Sequence, residues 1–360
     1  MKILSLGLDN SILNKDSRLA KRVLAYETLV DRYIVVVPSA KKERLVLSDK
    51  TEIFGAGGVN RLVKFFQIYN ISKKILRAEK PDVITVQDQY YLAILAWRLA
   101  VKFKVGLEIQ IHGFEKYFGL RKLLAKFVIP RASSIRVVSQ RLKKEIINNF
   151  GVNEDKIVVA PIYVEVPAYA KASAGRESQN EKFIFLTVGR LVPVKNITLQ
   201  IKAMAEVIKK HSEAKLWIAG EGSERKKLEK MVDFLNLGNG VKFFGWQNDL
   251  RDFYAQADAF VLTSNYEGWG LAVVEAASAG LPIIMTKVGC AEEVIKDKAS
   301  GLIIGVKDDV GLVEAMLKII EDSDLSKRLG AGARKAVEKL PSQEEVLELY
   351  RLSWEKAIYK

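Results

Sequence analysis

The sequence predicts an α/β protein built from two parallel sheets, each covered by helices on both faces. Three observations predict it. Short apolar runs alternate with amphipathic stretches from one end of the chain to the other, the order expected of successive β-α-β units. The runs are apolar throughout rather than every second residue, as strands buried on both faces require. The chain is 360 residues long, more than one core usually organises, and a polar segment without apolar periodicity interrupts it near the middle. That segment, VEVPAYAKASAGRESQNE, falls near residues 164–181. The reading is therefore a first domain over 1–166, a linker at 167–181 and a second domain over 182–342, with a final helix at 343–360.

In chain order the strand candidates of the first half are KILSLGL, RYIVVVP, DVITVQ, VGLEIQIH, SIRVVS and KIVVAP. Those of the second half are KFIFLTVG, AKLWIAG, VKFFG, DAFVLTS and LPIIMT. NITLQIKAMAEVIKKH and SERKKLEKMVDFLNL carry the 3.6-residue apolar period of surface helices. SQEEVLELYRLSWEKAIYK follows Pro341 and reads as the last helix. No internal repeat or long low-complexity tract is present.

Composition narrows the function. Apolar residues make up 49% of the chain, enough for substantial cores, yet no apolar run is long enough to span a bilayer. MKILSLGLDN is too short before Asp9 for the apolar region of a signal peptide and reads as a first strand. A single cysteine, Cys290, excludes an intrachain disulfide, and two histidines argue against a His-based metal cluster, so a cytoplasmic location is the default expectation. Residues 1–160 hold 29 Lys and Arg against 15 Asp and Glu, while the rest of the chain balances at 28 of each. The whole net charge of +14 therefore lies in the first half, and a one-sided basic field attracts anions.

The stretch NYEGWGLAVVEAASAG, residues 265–280, is the most informative. Glu267 and Glu275 stand eight positions apart on either side of a Gly-aromatic-Gly turn, between an expected strand and an expected helix. Gly268 and Gly270 let the backbone turn sharply and approach a ligand closely. The first N–H groups of a helix are unpaired and sit at its positive end, where an anion is favoured. A carboxylate pair with such a helix start suits a ligand carrying both hydroxyls and phosphate, such as a nucleotide sugar. The spacing alone fits equally a helix-start turn whose acidic residues complement the helix dipole.

The segment resembles the E-x7-E signature of retaining glycosyltransferases of family 4. Glu267, Gly268, Gly270, Leu271, Glu275 and Ala276 fall on that pattern, and Trp269 stands where Phe is more usual. The resemblance implies the GT-B fold, two Rossmann-like α/β domains facing across a cleft, with the last helix crossing back to the first domain. It implies that Glu275 bonds the donor ribose and Glu267 the transferred sugar, with Gly268, Trp269, Gly270 and Leu271 among the donor contacts. GRLVPVKN resembles the family's G-R-x-x-x-x-K-[GN] motif, which assigns Gly189, Arg190 and Lys195 to the donor diphosphate. Arg can fork onto phosphate oxygens, and Lys acts as a point charge. Gly220 and Gly222 match the glycine turn below the donor, and Trp246 lies in the segment beside the base. In the first half, His112 and Gly113 match the position that faces the donor sugar. A neutral imidazole there bonds a sugar hydroxyl.

One departure concerns the acceptor side. Many relatives carry a Gly-Gly loop after the first strand, whereas LGLDNSILNKDSR has only Gly7. Asp9 and Asn10 either supply side-chain contacts in its place or cap the next helix. FGAGGV, with Gly55, Gly57 and Gly58, reads as a flexible loop on that side. From Arg121 to Lys144 there are eight basic residues and no acidic one, among them Arg121, Lys122, Lys126, Arg131 and Arg136, interleaved with apolar residues. Such a segment either lies on anionic lipid or is a core-facing helix with a solvated basic face.

The resemblance thus implies an enzyme that transfers a hexose-type sugar with retention of configuration. The donor is a nucleoside-diphosphate sugar serving as co-substrate, with no cofactor and no essential metal. The acceptor is a glycan or a lipid-linked cell-envelope precursor, and the setting is cytoplasmic, peripheral on the inner face of the membrane. Two other classes fit parts of the chain: a donor-binding protein without catalysis, and a basic nucleic-acid-binding protein. No aromatic-rich RNA motif or helix-turn-helix module supports the latter, so no nucleic-acid partner is expected.

Overall fold

A computed structural model describes residues 1–114, 117–164 and 182–358. The chain forms two compact units, one made of residues 1–161 and 341–360 and the other of residues 162–340. The predicted linker at 167–181 lies outside the described residues.

The first unit has an eight-stranded sheet. Its strands are β1 (Lys2–Leu6), β2 (Arg32–Val37), β3 (Lys42–Val46), β4 (Thr51–Ala56), β5 (Val83–Val86), β6 (Gly106–Ile111), β7 (Ser134–Val137) and β8 (Ile157–Val159). They lie in the order β3-β4-β2-β1-β5-β6-β7-β8. All pairings are parallel except that of β3 with β4. β3 and β4 form a hairpin that hydropathy does not reveal. β3 is an exposed edge strand carrying Lys42, Glu43 and Arg44, charges of the kind that protect sheet edges. β4 buries Glu52, which Arg32 at 3.0 Å and Arg44 neutralise. Gly55, expected in a flexible loop, lies within β4 opposite Val37 and Glu43. A Cβ there would stand 2.6 Å from the Glu43 side chain, so the glycine serves packing. Only Gly57 and Gly58, at φ of 69° and 144°, make the turn out of the strand.

The C-terminal helix Gln343–Ala357 opens on a capping box between Ser342 and Glu345 and packs against β6, β7 and β8. Trp354 is fully buried in the core with Ile3, Ile12, Tyr26 and Tyr33. Beneath the helix, Glu108 of β6 is fully buried and paired with Arg136 at 3.0 Å. It also accepts from Thr85 Oγ1, Ser353 Oγ and, at 3.1 Å, Trp354 Nε1. Arg136 lies 3.5 Å from the Tyr350 ring centroid.

The second unit has six parallel strands: β9 (Ile184–Val188), β10 (Lys215–Ala219), β11 (Val241–Gly245), β12 (Ala259–Leu262), β13 (Ile283–Thr286) and β14 (Leu302–Ile304). Their order is β11-β10-β9-β12-β13-β14. The chain runs outward from β9 through β10 and β11, then returns to the other side of β9 as β12. The order of travel reverses between β9 and β12, and in such sheets ligands bind beyond the carboxyl ends of the strands at that point.

Candidate donor site at the strand ends of the second unit

The loops after β9 and β12 meet at this reversal. After β9 the chain passes Gly189 and the exposed Arg190, then a 3₁₀ turn at Pro193–Lys195, and enters the helix Ile197–Lys210. After β12 it passes Thr263 to Gly270 and enters the helix Leu271–Ser278. Buried polar side chains lock one loop to the other. Gln200 Nε2 donates to Thr263 Oγ1 at 3.0 Å, and Thr263 donates onward to the Asn196 carbonyl at 3.0 Å. Asn265 N–H donates to the Val194 carbonyl at 2.7 Å, and Thr286 Oγ1 holds the Ser264 carbonyl at 2.7 Å.

This scaffold brings Lys195 and Glu267 together as an ion pair. Glu267 is 8% exposed, and its Oε1 also accepts from Ser264 Oγ at 2.7 Å. A carboxylate this buried depends on its cation and hydrogen bond, because desolvation opposes the charged form. Lys195 remains partly exposed, so its ammonium has donors left for an incoming anion.

Glu275 is half-buried on the helix and has a different partner. Tyr254, on the short helix Arg251–Gln256, donates its hydroxyl to Glu275 Oε2 at 2.7 Å. Gly270 adopts φ of 100°, which favours glycine, and the chain turns there into the helix. The Leu271 and Ala272 amides precede the first bond of the helix, which Val273 N–H makes to the Gly270 carbonyl at 2.9 Å. The turn presents its backbone rather than its aromatic ring. Trp269, expected among the donor contacts, is 3% exposed and packs inward. Gly289 lets Trp269 seat, since a Cβ there would lie 2.4 Å from the Trp269 carbonyl oxygen. Cys290 N–H donates to that carbonyl at 2.7 Å. The buried Cys290 thiol is pushed up to about 12 by burial and is not a nucleophile.

Gly220 and Gly222 act through close approach of backbones. A Cβ at Gly220 would lie 1.9 Å from the Gly189 carbonyl oxygen, and one at Gly222 would lie 2.3 Å from that of Leu191. The loop after β10 thus supports the loop that carries Arg190 and Lys195. Trp246, just past β11, is 71% exposed and donates to Asn248 Oδ1 at 3.2 Å.

In the first unit, Gly7 follows β1 and donates its N–H to the Val36 carbonyl. Asp9 caps the 3₁₀ turn Asn10–Leu13 through Ser11 N–H at 2.9 Å, the capping alternative left open by the sequence. His112 follows β6 with Gln87 Nε2 at 3.5 Å from its Nδ1. Desolvation first, then the charges of Arg136 and Arg22, hold its pKa below the ordinary histidine value, so the imidazole is neutral at pH 7. Asp88, beyond β5, was not singled out by motif. It is buried, accepts from Leu92 N–H at 2.8 Å to cap the helix Tyr91–Phe103, and has a pKa raised by desolvation.

The basic segment divides. Arg136 is not on the surface, since it is 5% exposed and committed to Glu108, and Lys143 pairs with Glu154 at 2.6 Å. The helix Gly119–Val128 keeps Lys122 and Lys126 exposed, with Arg121 half-buried and Arg131 exposed just past its end. Phe118 is 69% exposed, Leu120 57% and Leu123 65%. No helix among the described residues is long and apolar enough to cross a membrane. No group of three or more His, Cys, Asp or Glu side chains among them could hold a metal ion.

Comparison with known proteins bears on the family and the fold. Residues 170–336 match a family model described as "Glycosyl transferases group 1", and residues 17–166 match one described as "Glycosyltransferase Family 4". The chain is 29% identical over 214 residues to the lipopolysaccharide core biosynthesis glycosyltransferase LpsD of Rhizobium meliloti, covering 59% of this chain and 61% of LpsD. It therefore spans about three fifths of that relative's length. It is 29% identical over 340 residues to an uncharacterized glycosyltransferase of Methanocaldococcus jannaschii, covering 80% and 84% of the two chains. The crystal structure of Anabaena HepE in complex with UDP and glucose superposes with a TM-score of 0.76 at 20% identity, covering 99% of this chain and 98% of that one, which shows a shared fold.

Proposed function

We propose, for a chain that belongs to the group 1 glycosyltransferases of family 4, that it moves a hexose-type sugar from a nucleoside-diphosphate donor to a cell-envelope glycan or lipid-linked acceptor, retaining the anomeric configuration. The observation that carries this reading is the Lys195–Glu267 pair at the strand-order reversal of the second sheet. Lys195 and Arg190 receive the diphosphate and offset the charge that grows on it as it leaves, typically a large catalytic effect. Glu267 accepts from hydroxyls of the transferred sugar, and Glu275 accepts from the ribose. The bond from the anomeric carbon to the phosphate oxygen breaks, and the acceptor oxygen bonds to the same face of that carbon. The acceptor proton passes to the departing phosphate oxygen, so no side-chain base is required. The neutralising charge is assigned to these side chains, and the reaction is proposed to need no metal. LpsD's role in lipopolysaccharide core synthesis supports an envelope acceptor, and the UDP and glucose bound by HepE support a nucleotide-sugar donor. The test is proton NMR of the new glycosidic bond, with EDTA present. An anomeric configuration equal to the donor's is expected, and inversion would contradict the mechanism.

A second reading concerns place. The exposed Phe118, Leu120 and Leu123 beside Lys122, Lys126 and Arg131 favour docking of the helix Gly119–Val128 on an anionic bilayer, at the cytoplasmic face. Replacing Lys122, Lys126 and Arg131 by Gln is expected to cut binding to phosphatidylglycerol-containing vesicles by about tenfold or more, since each interfacial cation contributes roughly 1 kcal/mol. Equal binding of the native protein to purely zwitterionic vesicles would remove the electrostatic role.

A further inference from the structure

Glu275 is the carboxylate to which the proposed function gives the donor ribose, and the structure adds a residue behind it. Tyr254 is 2% exposed and 21 positions earlier in the chain, on a helix of its own. Its hydroxyl reaches Glu275 Oε2 at 2.7 Å, while its ring packs beside Phe260 at 6.4 Å between centroids. A terminal carboxylate otherwise rotates broadly about its last torsion. One donated hydrogen bond on Oε2 fixes that rotation, and a carboxylate has further lone pairs on its two oxygens with which to accept from hydroxyl donors. The helix bearing Tyr254 begins at Arg251, shortly after Trp246 on the base side, so the tyrosine links that segment to the ribose carboxylate.

We propose that Tyr254 is a positioning residue that sets Glu275 to read the ribose hydroxyls and so makes the site discriminate ribonucleotides from deoxyribonucleotides. The inference rests on the nucleotide-sugar reading of the site. A half-buried carboxylate aimed by a buried phenol is the kind of group that rejects an analogue lacking the matching hydroxyl, because the oxygen is then left without that donor.

The test uses Tyr254→Phe, which keeps the ring and removes only the hydroxyl. Equilibrium binding is measured for whichever of UDP, GDP and ADP the native protein binds most tightly, and for the 2′-deoxy and 3′-deoxy forms of that nucleotide. The native protein is expected to prefer the ribonucleotide over at least one deoxy form by about tenfold or more, the scale of a hydrogen bond to a charged group. Tyr254→Phe is expected to bring that preference close to one, with melting temperature nearly unchanged. A variant that weakens ribo and deoxy forms by the same factor would show a merely structural tyrosine and overturn the proposal. An unchanged preference would overturn it equally. If the native protein binds none of the three nucleotides, the assignment of Glu275 to a ribose falls first and takes this proposal with it.

Discussion

Lys195→Ala and Glu267→Gln are each expected to lower the transfer rate by about 10²–10³ or more, the scale seen when one preorganised stabilising group is removed. Their effects on binding of the free nucleoside diphosphate should have opposite signs. In the proposed function Lys195 supplies a cation to the diphosphate, so its loss is expected to weaken binding. Glu267 sits against that same ammonium and places a negative charge beside the incoming phosphates. Removing that charge while keeping the side chain's shape tightens binding of the diphosphate, although the sugar is no longer held for reaction. Both loops are anchored independently of the pair, through Gln200, Thr263, Asn265 and Thr286, so both variants should stay folded. Titration of the native protein and the two variants with the diphosphate checks this. A loss of affinity in Glu267→Gln comparable to that in Lys195→Ala would mean that the pair does not meet the phosphates.

The largest expected effect on stability lies in the other unit, at Glu108. Glu108→Ala leaves the buried Arg136 guanidinium without its carboxylate, and Thr85, Ser353 and Trp354 without their acceptor. Breaking a buried pair in this way costs about 3–5 kcal/mol. For a domain of this size that corresponds to a fall in melting temperature of roughly 10 °C. The loss should appear together with release of the helix Gln343–Ala357, whose Ser353 and Trp354 are bonded to that carboxylate. Thermal unfolding followed by tryptophan fluorescence checks both. A fall of only 1–2 °C would show that the aromatic packing of Tyr26, Tyr33 and Tyr350 around Trp354 holds the helix without the polar cluster.

What the sequence made legible was local. The turn at Gly268–Gly270 and the helix after it follow from residues within one short window, as do the strands of the second sheet up to β13. β3 and β4 were missed because a charged edge strand has no apolar run, and β4 buries a glutamate that only its cross-strand arginines neutralise. Arg136 read as one of eight surface cations because nothing near it in the chain is acidic; its partner is on the neighbouring strand, 28 positions away. Tyr254, Ser264 and Gln200 carried no signal for a similar reason. A tyrosine, a serine or a glutamine acquires a role only from the atom the fold sets opposite its polar group, and Tyr254 and Gln200 find theirs on other elements. Trp269 shows the same limit, since residue type in a glycine turn does not tell which way the ring faces, and the fold turns it inward.

In the proposed function the strand ends of the second sheet bind a nucleoside-diphosphate sugar through Lys195 without a metal. The most direct measurement is the thermal stability of the native protein and of Lys195→Ala, in EDTA, against UDP-, GDP- and ADP-sugars. At 100 times its dissociation constant, a ligand that binds only the folded state adds about 2.7 kcal/mol. Stabilisation of the native protein by at least one donor is expected, with little or none of Lys195→Ala at the same concentration. Equal stabilisation of both proteins would place the donor elsewhere and contradict the site described here.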